Sequence, residues 1–217
     1  MVFTKNKVFP CSELCLKFKA MKQVSSEVLL DQLQTDVREI ILQASRLKQT
    51  ELFLLDQSPA VDKWSVAQVL EHLNIYCRYY GKAIEKKLHL HQTKPAAVFH
   101  PGWLGNYFTK LMKPSADNQV VKKMKAPSFA RPSLNPDAKQ MLEEFLLHQH
   151  HLLNLLQISR SANLNSVKIP ISLSRFVTLR LGDTYRFFIA HEERHFIQIN
   201  QIISALQQSA GERKPAA

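Results

Sequence analysis

Two histidines four residues apart, in His191-Glu192-Glu193-Arg194-His195, form the pair best spaced in this sequence to hold a metal ion. On a helix four residues advance about 6 Å and return to the same face. Two imidazoles placed so can converge on one ion, each nitrogen about 2.0–2.1 Å from it. That face is apolar: His195 shares it with Ile199 and Ile202, and His191 follows Phe188 by three. On a second helical pattern His72 lies three and four residues from Val69 and Tyr76, so it too points inward or sits at the core boundary. A buried polar nitrogen left without a partner costs about 1–3 kcal/mol. One shared ion would satisfy a nitrogen of each ring. Separate core histidines bonded to carbonyls or carboxylates would meet the same need, and spacing alone leaves both readings open.

The motif also spells the zincin pattern HExxH, which would make Glu192 a general base and require a third ligand downstream. The continuation Phe196-Ile197-Gln198-Ile199-Asn200-Gln201 has neither the glycine nor the histidine of a metzincin. The acidic residue that remains after Glu193 is Glu212, in a Gly-Glu-Arg-Lys-Pro stretch expected to fray. The peptidase reading is therefore set aside. Glu192 is turned about 100° from His191, and Glu71 is similarly displaced from His72, so no general base is identified and catalytic residues stay unassigned. Cys77, five residues from His72, falls about 140° away around the helix and is read as a packing residue. His148, His150 and His151 are expected on an exposed face.

Four long helical patterns must position the three histidines. The first spans about Ser26 to Asp56, with Leu33, Val37, Ile40/Ile41 and Leu47 at three-to-four spacing and Pro59 beyond its end. The second opens at Trp64-Ser65-Val66-Ala67-Gln68, where Ser65 and Gln68 form a capping box, and runs to about His89. A connection of about forty residues follows, carrying Pro95, Pro101, Pro114, Pro127, Pro132 and Pro136; Gly102–Met112 is expected to form a short helix inside it. The third helix is expected from about Pro136 to Ile158. The fourth runs from about Leu181 to Gln208, after a polar, β-branched segment in which no alternating strand stands out. The class is all-α. Short links between helices one and two permit antiparallel neighbours, and the long crossover between helices two and three lets those two run parallel.

Composition narrows the function classes. The chain has 217 residues, enough for one domain with a full core. Its net charge of +11 is spread along the chain; the densest basic run, Lys122-Lys123-Met124-Lys125, sits between prolines without a nucleic-acid-binding motif, so no specific nucleic-acid partner is expected. Three cysteines, Cys11, Cys15 and Cys77, form no CxxC pair, which points to reduced thiols and a cytoplasmic setting. No apolar run approaches the roughly 18 residues that span a bilayer, and the first twenty residues lack a signal-peptide core. We expect residues 1–20 to be a loosely attached extension, 21–210 the helical domain and 211–217 a disordered tail.

The paired segments Trp64-Ser65-Val66-Ala67-Gln68-Val69-Leu70-Glu71-His72-Leu73 and His191-Glu192-Glu193-Arg194-His195-Phe196-Ile197-Gln198-Ile199 resemble the signature of the DinB/YfiT-like superfamily. The resemblance covers roughly Met21 to Gln208; the N-terminal extension and the long middle connection depart from the family's compact pattern. It implies an up-down-down-up four-helix bundle, often a homodimer, in which His72, His191 and His195 hold one divalent ion, nickel or zinc foremost. It also implies thiol (S-)transferase or hydrolase chemistry on a small-molecule substrate, with a low-molecular-weight thiol as one candidate, through a metal-bound thiolate or water. The alternative is a non-catalytic bundle with a structural metal or a partner-binding surface. Three protein ligands leave a coordination position open, which favours chemistry.

Overall fold

The computed structural model describes residues 23–90, 92–114 and 124–212, with side chains through residue 209. The expected extension 1–20, with Cys11 and Cys15, lies outside the described residues, as do Lys122, Lys123 and residues 213–217. The described chain is mostly helical: α1 (Ser26–Leu47), α2 (Leu52–Asp56), α3 (Val66–Leu90), α4 (Trp103–Met112), α5 (Ala138–Ile158) and α6 (Leu181–Glu212). No described helix is long and apolar enough to cross a membrane.

Helix starts follow local chemistry. At α3 the Ser65 hydroxyl accepts from Gln68 N at 3.2 Å while Gln68 Oε1 accepts from Ser65 N at 3.0 Å, so the expected capping box forms. At α5 the Asp137 carboxylate accepts from Gln140 N at 2.7 Å. The first pattern does not stay one helix to Asp56. Lys48-Gln49-Thr50-Glu51 offers no apolar side chain to bury, and the last turn tightens onto Ser45, Arg46 and Leu47 carbonyls. Glu51 then turns extended, and α2 restarts on a new line that buries Leu55 completely.

The four long helices share one apolar core. α3 packs on α5 and α6, and α1 packs on the same two helices. Leu33, Val37 and Ile40 of α1, Leu70, Leu73 and Tyr80 of α3, Phe145 and Leu156 of α5, and Tyr185, Phe196 and Ile199 of α6 are all buried. At about 1.5–3 kcal/mol per large apolar side chain removed from water, this stripe-on-stripe burial dominates the favourable side of folding. Polar contacts report the registers. Asn74 meets Met141 and Cys77 meets Gln149, so the numbers rise together along α3 and α5. His72 meets His195 and Tyr80 meets Phe187, so they run in opposite senses along α3 and α6. Gln34 meets Gln157 and Asp31 meets Arg160, again in opposite senses, along α1 and α5.

Two small antiparallel pairings were not read from the sequence. β1 (Val24–Ser25) pairs with β2 (Val98–Phe99), and β3 (Lys168–Ile171) pairs with β4 (Ser174–Arg180). Pro170 lies in β3 and the ladder is irregular after it, while β4 is mostly solvent-facing, so neither strand alternates cleanly. The hairpin is pinned to α3: Tyr79 donates to the Ile171 carbonyl at 3.1 Å, and the Tyr80 oxygen accepts from Ser172 N at 3.2 Å.

The described parts of the long connection pack against the helices. α4, the expected short helix, lies on α6 so closely that a Cβ at Gly105 would come within 2.3 Å of Asp183. Buried Asp183 in turn accepts from Gly102 N at 2.8 Å and pairs with Arg186. Further along, a short 3-10 turn at Ser128–Ala130 reaches the first half of α3. It is held there by Glu71, which accepts from Ser133 N at 2.7 Å, and by Gln68, which donates to the Ser133 and Leu134 carbonyls.

Candidate metal centre

His72 projects from the second turn of α3, and His191 and His195 project from successive turns of α6. The registers of the two helices bring them together: one potential ligand atom from each lies within 4.8 Å of the others. The ring centroids of His72 stand 5.4 Å from His191 and 4.7 Å from His195. The His191 and His195 Nε2 atoms are 3.1 Å apart. Two nitrogens bound to one tetrahedral ion at about 2.0–2.1 Å each would sit on the order of 3.3 Å apart. The spacing of the His191–His195 pair fits one ion.

The far nitrogens of two rings are fixed. His72 Nδ1 donates to the Ala130 carbonyl at 2.6 Å, and His195 Nδ1 donates to Gln198 Oε1 at 2.9 Å. Both bonds put the proton on Nδ1 and leave the Nε2 lone pair facing the cluster, as an outer shell does for metal-ligating histidines. Burial holds all three imidazoles below their usual range, and each other's charge adds to this for His191 and His195. His195 falls to about 3. All three are therefore neutral at pH 7, the form that coordinates. The donor set of three neutral imidazoles suits a borderline divalent ion.

His72 and His191 are buried, whereas His195 is partly exposed and marks the side reached by solvent. Aromatic rings line the rest. Trp64 and Tyr76 each stand 5.1 Å from the His72 ring, and Phe129 lies 6.0 Å from Tyr76.

The neighbouring candidates fall elsewhere. Glu192 points into the interior, where Gln149 Nε2 donates to its Oε1 at 2.8 Å and the Cys77 thiol does so at 3.4 Å. Burial lifts its carboxyl to about 8, against the opposing bonds from Gln149 and Cys77. Cys77 is buried and lies outside the histidine group. Glu71 is engaged with Ser133. On α5, His150 is exposed, but His148 and His151 are half-buried, beside Glu144 and Glu85 respectively.

Sequence reasoning did not find the interior bond of Glu192 to Gln149. A signal was present: positions 185, 189, 192, 196 and 199 follow the apolar spacing of α6, so Glu192 occupies a core position. The roles of Ala130 and Gln198 were also unread. Gln198 stands three residues after His195, within reach on the same helix; Ala130 acts through its backbone, which carries no sequence signal.

The family model of the DinB superfamily matches residues 27–199. The chain belongs to the DinB superfamily. The match encloses α1 to the middle of α6 and contains all three histidines, so the whole cluster belongs to the part this DinB-superfamily chain shares with its family. Comparison with curated proteins and with solved structures gives no match.

Proposed function

We propose that this chain is a divalent-metal-dependent enzyme that holds one ion through His72, His191 and His195 and catalyses thiol (S-)transfer or hydrolysis. The observation that carries the reading is the convergence of three neutral imidazoles from two helices, two of them oriented by an outer hydrogen bond. A divalent ion there, nickel or zinc foremost, supplies the Lewis acidity that lets a thiol or water ionise near neutral pH. The protein's own share is to bind and orient. Ala130 and Gln198 aim the ligand nitrogens, the aromatic rings exclude water from the buried side, and partly exposed His195 marks the direction of entry.

The same reading takes the fold as an up-down-down-up four-helix bundle. The rising register of α3 with α5 and the opposed registers of α3 with α6 and of α1 with α5 support it. Family resemblance supports a small-molecule substrate, a low-molecular-weight thiol as co-substrate and a homodimer. The absence of a CxxC pair supports the cytoplasm.

Elemental analysis of purified protein tests the site: close to one divalent ion per chain is expected, and none in a variant with His191→Ala and His195→Ala. Cobalt-substituted protein should then develop a sulfur-to-metal absorption band on adding a small thiol. Equal metal in wild type and double variant would remove the site. Full metal retention with no thiol band would leave a structural ion in place of an enzyme's.

A further inference from the structure

Four tyrosines are buried or half-buried among the described residues, and for three of them the fold supplies a hydrogen-bond partner to the hydroxyl. Tyr79 donates to the Pro170 and Ile171 carbonyls, Tyr80 bonds Ser172, and Tyr185 pairs with Ser159 at 2.9 Å. Tyr76 is the exception. Only 7% of its surface is exposed, yet its hydroxyl bonds no described residue. The hydroxyl is also not among the buried polar atoms sealed off without a partner, so it opens onto solvent-reachable space. The fold thus leaves this donor free of partners among the described residues and open to a bound molecule, water or ligand, beside the histidines.

The location of this hydroxyl is specific. Tyr76 follows His72 by one helical turn, and its ring centroid lies 5.1 Å from that of His72 and 4.8 Å from that of His191. The ring is fixed by edge contact with both histidines and with Phe129, and by stacking on Tyr80. Meanwhile the site has few protons to offer a ligand. The Nδ1 protons of His72 and His195 are committed to Ala130 and Gln198, and the Nε2 lone pairs face the cluster. A phenol, protonated at neutral pH, is a donor of the kind this set lacks.

We propose that the Tyr76 hydroxyl is a hydrogen-bond donor of the site, directed at an anionic ligand, a thiolate or an oxyanion, held at the histidine cluster. This rests on the metal-dependent reading above. Tyr76 thereby positions the anion and stabilises its charge without giving up its proton, as preorganised donors do in buried sites.

The test uses the full-length protein loaded with cobalt(II), azide as the probe, and Tyr76→Phe compared with Tyr80→Phe. Three quantities are read: cobalt affinity, azide affinity from the shift of the cobalt absorption bands, and thermal midpoint. Tyr76→Phe should keep cobalt affinity and thermal midpoint while weakening azide by about tenfold or more, as expected for a bond to a charged group. Tyr80→Phe should lower the midpoint, because its bond to Ser172 is lost, and leave azide affinity unchanged. Unchanged azide affinity in Tyr76→Phe would overturn the proposal while sparing the metal site. A drop in its midpoint matching that of Tyr80→Phe, with azide binding weakened in both, would assign the hydroxyl a structural role instead. Wild-type protein that binds no cobalt would strike at the metal reading itself, a result distinct from either.

Discussion

His72 Nδ1 stands 2.6 Å from the carbonyl oxygen of Ala130, and this one bond ties the proline-rich connection to the histidine cluster. The connection is thus part of the site's construction. Its short turn at Ser128–Ala130 is clamped to α3 through Glu71 and Gln68, and the clamp decides which nitrogen of His72 is free.

Loosening the clamp should weaken metal binding without touching a ligand. Glu71→Ala removes the acceptor for Ser133 N and Oγ. Gln198→Leu removes the acceptor for His195 Nδ1. Outer-shell losses of this kind typically cost about 10–100-fold in metal affinity. We expect the Gln198 variant to fall in that range and the Glu71 variant at or below its lower end, because its effect on His72 is indirect. Competition titration with a zinc chelator measures both; wild-type affinity in Gln198→Leu would show that His195 needs no outer partner.

Glu192 should subtract from the stability of the metal-free protein as pH rises, whereas the lowered pKa values of His72, His191 and His195 add to it until pH passes their unfolded value of 6.5. Its folded pKa, about 8, lies above the unfolded reference of 4.5. Below about pH 4.5 the carboxyl is protonated in both states and carries no penalty. Between there and about pH 8 the unfolded chain ionises first, so folding becomes progressively less favourable, and beyond pH 8 the loss levels off. With about 1.4 kcal/mol per pKa unit, the total is on the order of several kcal/mol. Glu192→Gln should remove this falling contribution, read most directly above about pH 7, where the three imidazoles are neutral in the folded and unfolded chain alike. Urea unfolding between pH 5 and 9 reads it, and an unchanged slope in the variant would assign the pH dependence to other groups.

Gly105 permits α4 to lie against α6. A methyl group there would meet Asp183 Cβ and Cγ at 2.3 Å, well inside contact distance, and Asp183 is itself buried and bonded to Gly102. Gly105→Ala should therefore push α4 outward and destabilise the protein by about 1–3 kcal/mol, despite the better intrinsic helix propensity of alanine. A lower thermal midpoint with faster proteolysis within α4 is the expected result. A raised midpoint would mean that α4 is free to shift at no cost.

The sequence by itself was enough for the helical class, the four long helices, the capping box at Ser65 and Gln68, and the inward faces of His72, His191 and His195. Each is written in local periodicity: a residue type, a spacing and a 3.6-residue turn determine which side chains share a face. Tertiary structure alone decided the break after Leu47, the hairpin at 168–180, the interior bond of Glu192 to Gln149 and the carbonyl that orients His72. The break reflects a new burial line for Leu55, and the hairpin is held by tyrosines 92 residues away in sequence. Gln149 and Ala130 reach their partners only through the packing of α3, α5 and α6 and the course of the connection, and backbone carbonyls look alike in every sequence. Local pattern states which face a side chain takes; what that face meets depends on chain segments far apart, whose approach is set by the burial of the whole core.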